Sequence, residues 1–183
     1  MALLQKFIHA LENTNAFTIG VCKFLTILSV ALITVIVCAG VYWRYVLNDA
    51  LAWSEESAKF LMVWMVFTGA PIALAQGTHA AIDALPEALP PRARQAVFGL
   101  IYLLVMFFVT VLIYQGWQFA WNARIQSTPT TGISMLYVFA AMPVGGAIMF
   151  LISAELLLKS IAGIWRPELG VHRPEILPIT GAS

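Results

Sequence analysis

The chain has 183 residues, of which 61% are hydrophobic and 10% charged, with a net charge of +1 and a mean hydropathy of +0.86. Soluble domains carry roughly 45–50% apolar and about 25% charged residues, and a globule of this size buries only part of its surface, so the bilayer has to act as solvent. The near-zero charge offers no basic field for nucleic acid, and Cys22 and Cys38, both in the first apolar segment, show neither disulfide geometry nor metal-ligand spacing. The elements in chain order predict an all-α membrane protein of four spans, over residues 1–165, with a flexible cytoplasmic tail at 166–183.

Met1 to Ala16 is mildly amphipathic. Leu3, Leu4, Phe7, Ile8 and Leu11 share one helical face, and Gln5, Lys6, His9 and Glu12 fall largely off it. This pattern predicts a helix lying in the membrane interface. Glu12 interrupts the run and no A-x-A site closes it, so the segment reads as retained and not as a cleaved signal.

Segment one spans Phe17 to Val46 and ends in an aromatic belt of Tyr42, Trp43 and Tyr45 around Arg44. Asn48 and Asp49 cap or break the chain before the next helix.

Segment two begins near Asp49 and is apolar from Phe60 to Ala75. A helix from Trp53 to His79 would be about 39 Å long, close to a bilayer with its headgroups. Its two polar ends therefore fall on opposite faces, which argues against one compact active site and against an enzyme. Glu55 and Glu56 lie in the first turns, where the helix dipole favours negative charge. Glu55 stands four residues before Lys59, in the better orientation for a pair. Trp53, Phe60, Trp64 and Phe67 form an aromatic stripe. Gly69, Ala73 and Gly77 form a small-residue face on which another helix can pack closely. Pro71 is placed to bend the helix.

Residues Gln76 to Gln95 form a polar, Pro-rich connection, and Pro90-Pro91 mark the start of segment three, Ala96 to Phe119. A turn-rich loop from Gln126 to Gly132 leads to segment four, Ile133 to Leu158, which carries Pro143, Gly145 and Gly146 near its middle. Glu155 and Lys159 are spaced to pair at its end. Lys6, Lys23, Arg92, Arg94, Lys159, Arg166 and Arg173 gather on one side, against Arg44, Lys59 and Arg124 on the other. The positive-inside rule places both termini in the cytoplasm.

Trp53-Ser54-Glu55-Glu56 admits three readings: a carboxylate pair for substrate, a docking patch, or helix-start electrostatics. Arg44 is within reach of Glu55 or Glu56 across the short turn and would fix the angle between segments one and two. His79 reads as an interface residue. His9, His79 and His172 are too scattered to hold one metal, and no phosphate loop or catalytic set is present.

Trp53-Ser54-Glu55-Glu56, Trp64 and Gly69, then Gly77-Thr78-His79 with Asp83, Leu89-Pro90 and Arg94, resemble the small membrane subunit of TRAP transporters, the DctQ family. The likeness runs from about Val41 to Leu158 and includes Tyr137 to Pro143-Val144-Gly145. It departs after the histidine, where Ala80 and Ala81 replace a bulky aliphatic and a basic residue. The resemblance implies a scaffold subunit in the bacterial inner membrane, without cofactor. Its partner would be a large permease that carries the sodium and substrate sites, and a periplasmic binding protein would supply an organic acid. Arg44, Trp53, Glu55, Glu56, Lys59, Trp64, Gly69, Ala73, Gly77, His79 and Asp83 are the candidate assembly and docking residues. The alternative, a membrane anchor of a redox complex, would need axial ligands within the spans.

Overall fold

The computed structural model describes residues 2–76 and 90–165. Gly77, His79 and Asp83, and the tail at 166–183, lie outside the described residues. Among the described residues the fold is built of five α-helices, α1 (Ala2–Val46), α2 (Ala52–Ala75), α3 (Pro91–Asn122), α4 (Met135–Phe139) and α5 (Ala141–Trp165), with a 3₁₀ turn (Ala123–Ile125) after α3. Among the described residues four helical stretches are long and apolar enough to cross a membrane: Leu11–Val46, Ala52–Ala75, Ala93–Ile125 and Met135–Gly163.

The N-terminal amphipathic stretch is not a separate element. No glycine or proline interrupts residues 2–19, so α1 runs unbroken for 45 residues, about 67 Å. Asn48 ends it in the left-handed region, at φ 51°. The Asp49 N–H donates back to the Trp43 carbonyl at 3.2 Å, a closure that asparagine tolerates better than most residues. Asn48 and Asp49 thus break the chain without capping α2. The N-cap is Leu51, with no side-chain cap bond.

Proline sets two further boundaries. Pro91 occupies the first turn of α3 after the extended Pro90, as read from the sequence, so the helix starts five residues before Ala96. Segment four crosses as the single span read from the sequence, Met135–Gly163, with a one-residue turn near its start. α4 stops at Phe139, Ala140 forms the turn, and α5 begins at Ala141. Pro143 has no N–H for the Phe139 carbonyl, and its ring crowds that carbonyl. Pro143, Gly145 and Gly146 therefore lie in the first turns of α5, inside the fourth span.

The described helices run alternately up and down, with α5 as the hub that touches α1, α2 and α3. α1 and α3 occupy opposite flanks, which leaves Phe24 and Phe107 among many apolar side chains exposed. In lipid these faces need no cover. Packing between helices falls to small residues, because lipid gives no hydrophobic drive to pair. A Cβ added to Gly145 would lie 2.6 Å from the Phe67 carbonyl oxygen, and one on Gly146 2.8 Å from Ile113 Cγ1. Val109, Ala120, Ala141 and Ile152 are buried. Within the bilayer a Thr26–Thr68 hydroxyl bond of 3.0 Å links α1 to α2.

Candidate assembly site

Most of the candidate residues that the structure describes sit at the end of the bundle opposite the termini, called here the far end. Ser54 closes the first turn of α2 by donating its hydroxyl to the Leu51 carbonyl at 2.7 Å. Consecutive residues on a helix diverge by about 100°, so Glu55 and Glu56 point to different neighbours. Glu55 accepts from the Arg44 guanidinium on α1. This is one of the two pairings open from the sequence. The expected Glu55–Lys59 pair gives way to it, and Lys59 stays exposed.

Glu56 accepts from the Thr130 backbone N–H at 3.3 Å and from the Thr131 hydroxyl at 3.4 Å. It reaches a loop that is already folded on itself. Ser127 and Ser134 form an isolated bridge. Thr128 is buried, and its hydroxyl accepts from the Ile133 N–H at 3.1 Å and lies 2.6 Å from that of Thr131. Gly132 takes φ 66° at the turn, which only glycine adopts without strain. The Ser134 hydroxyl donates to the Arg124 carbonyl at 3.0 Å, and the Arg124 guanidinium lies 4.3 Å from the Trp121 ring centre. The two carboxylates of α2 therefore tie both far-end connections, one each.

Arg44 and Glu55 are each about half exposed, at 50% and 57%, and exposed pairs add little to stability. Arg44→Met should leave the melting temperature of the purified chain almost unmoved, as a thermal-shift assay would read. A large drop would mean that the pair sets the α1–α2 angle. Beside it, a groove of about 230 Å3 between α1 and α2 is walled by Val37, Val41 and Tyr45.

The aromatic stripe of α2 divides. Trp53 is exposed at the far end. Trp64 Nε1 donates to the Tyr137 carbonyl at 3.2 Å, holding α4 just before the break, and Phe67 meets Gly145. Gly69 faces α1, but an added Cβ would touch only Thr26 Cγ2 at 4.0 Å. The tight approaches lie elsewhere, at Gly40, Gly145 and Gly146, and Ala73 is half-buried.

Sequence reading missed the polar cluster at the termini end. Asn15 Nδ2 donates to Glu155 Oε2 at 2.5 Å and to the Leu151 carbonyl at 3.3 Å. Lys159 Nζ lies 2.6 Å from Glu155, the pair read from spacing, and 2.9 Å from Glu12. Asn15 ends the polar run Glu12-Asn13-Thr14-Asn15, and nothing in that run marks it as the one that is buried. Among the described residues no three His, Cys, Asp or Glu side chains are grouped to hold a metal.

The profile of the DctQ component of tripartite ATP-independent periplasmic transporters matches residues 33–163. The sialic acid TRAP transporter small permease protein SiaQ of Vibrio cholerae is 26% identical over 167 residues, covering 90% of this chain and 91% of that one. The C4-dicarboxylate TRAP transporter small permease protein DctQ of the same species is 27% identical over 114 residues, 62% of this chain and 49% of that one. The sialic acid TRAP transporter permease protein SiaT of Haemophilus influenzae is 29% identical over 145 residues, which are 79% of this chain but 22% of that protein. Nothing in these matches favours a redox anchor. With a profile match across more than half its length, this multi-pass membrane chain belongs to the DctQ component family of TRAP transporters.

Proposed function

We propose that the chain is the scaffold subunit of a sodium-coupled TRAP transporter for an organic acid. It supports a large permease subunit that carries the substrate, and a periplasmic binding protein feeds the complex. The complex sits in the inner membrane with both termini of this chain in the cytoplasm. The chain itself is not an enzyme.

One observation carries this reading. No Asp, Glu, Lys, Arg or His occurs in residues 24–43, 60–76, 95–123 or 135–154. A transport path through a span would carry such groups. Partner-sized support comes from the SiaT match, in which this chain corresponds to 22% of a longer permease. Relatives named for sialic acid and for C4-dicarboxylates favour an acid as cargo. Glu55 and Glu56 already have partners inside the chain, so exposed Trp53 and Lys59 are the far-end residues most available for docking.

The test is uptake by proteoliposomes that contain the large permease, with and without this chain, under an inward sodium gradient and with a binding protein loaded with sialic acid or a C4-dicarboxylate. Uptake should require both subunits, and this chain alone should move neither solute. Transport by the isolated chain, or full uptake by the large subunit alone, would overturn the assignment.

A further inference from the structure

We infer that the first 16 residues of α1 are a separately docked arm, held to the end of α5 by a latch whose pin is Lys159. The helix register leads there. Gly40 lies against Ser54 and Thr26 against Thr68, an antiparallel pairing that brings Gln76, the C-cap of α2, about level with Thr18. From Thr18 to Val46, α1 is already about 42 Å long, as thick as a bilayer with its headgroups. The residues before Thr18 thus lie beyond the described end of α2. They extend α1 by about 24 Å past the membrane-spanning part.

There α1 meets α5 through polar side chains. Asn15 is buried and donates to Glu155 and to the Leu151 carbonyl. Lys159 Nζ sits between Glu12 Oε1 at 2.9 Å and Glu155 Oε1 at 2.6 Å. His9 Nδ1 lies 2.9 Å from Glu12 Oε2, on an imidazole that is otherwise exposed. Glu12 on α1 and Glu155 on α5 thus share one ammonium. Without it, two carboxylates would face each other across the helices, one of them buried, and a buried charge that loses its partner is strongly unfavourable. The α1–α2 seam, made by Thr26 and Thr68 within the bilayer and by Gly40 and Ser54 toward the far end, involves none of these groups. The arm can therefore detach while the bundle stays closed.

The test uses the full chain in nanodiscs, with Cys38→Ala to remove the exposed thiol. Spin labels at Asn13→Cys and Ile161→Cys report the arm against α5. Labels at Leu32→Cys and Met62→Cys report the α1–α2 seam. All four positions are exposed. With Lys159 present, both pairs should give one narrow distance. Lys159→Met should lengthen the arm distance by more than a helical turn, about 5 Å, and broaden it, with the seam distance unchanged. Lys159→Arg should restore the narrow distance. An unmoved arm distance in Lys159→Met would overturn the latch, and so would broadening of both pairs, which would mean that the whole bundle loosens. Should Lys159→Met fail to accumulate, Glu12→Gln in the Lys159-containing chain decides the matter, since it removes the carboxylate that reaches Lys159 across the helices and leaves the Lys159–Glu155 pair in place. The arm distance should then lengthen alone, and no change would overturn the latch.

Discussion

Gly145→Leu should cost the bundle about 3 kcal/mol or more, the upper range for overpacking a tight contact. A Cβ at this position would stand 2.6 Å from the Phe67 carbonyl oxygen and 2.8 Å from Phe67 Cβ. Neither atom is the free end of a flexible side chain, so α2 and α5 must separate. That would also pull Trp64 from the Tyr137 carbonyl. Thermal unfolding of the purified variant, with its size-exclusion profile, reads the outcome. Gly69→Ala is the internal contrast. Its methyl meets Thr26 Cγ2 at 4.0 Å, ordinary contact, and its melting temperature should stay near that of the parent. If Gly145→Leu melted with the parent, the α2–α5 seam described here would be wrong.

Ser160→Leu should be the second severe substitution. Ser160 is fully buried, its hydroxyl donates to the Gln95 carbonyl at 2.5 Å, and a Cβ on Gly99 would lie 3.4 Å from that hydroxyl. Leucine would push its branched side chain into the first turns of α3. The expected loss is about 2–3 kcal/mol, mostly from the clash. Ser160→Ala separates the two causes. It removes only the bond, and interhelical bonds in membranes average about 0.6 kcal/mol. Hydrogen exchange at the Gln95–Gly99 amides and the melting temperature together decide. Equal damage from alanine and leucine would show that the bond, and not the volume, holds α3 to α5.

Why these two sites dominate also explains what the sequence could tell. Long apolar runs are a local property, so the four spans and the Pro90-Pro91 start of α3 were readable, as was the Glu155–Lys159 pair at helical spacing. The choice of Arg44 over Lys59 by Glu55 was open, because it depends on how the α1–α2 turn folds around Asn48. Gly69 stood out on a small-residue face, and Gly145 beside Pro143 and Gly146. Only the relative rotation of α2 and α5 makes one loose and the other tight. Asn15 and Glu155 are 140 residues apart, and no period in the chain connects them. The one-residue turn at Ala140 inside the fourth span was not legible, although Pro143 stands three residues after it. An uninterrupted apolar run looks the same whether its backbone bonds continue or stop, and lipid tolerates a broken helix whose carbonyls find donors such as Trp64. Of the candidate site, the Arg44–Glu55 tie was foreseen as one option. The clamp from Glu56 to the Thr130–Thr131 loop was not, since that loop is 74 residues away.

The position of α5 has a consequence for biogenesis. Of the four spans described, the hub of the bundle, α5, is the last to leave the ribosome. The α1–α2 hairpin can close as soon as both have been inserted, but α3 must wait in the lipid with its main docking surface, α5, still unmade. Quality control therefore has a clear window. A nascent chain stalled before Ala141 presents a finished hairpin and an orphan helix, and the arrival of the final segment converts them into one body.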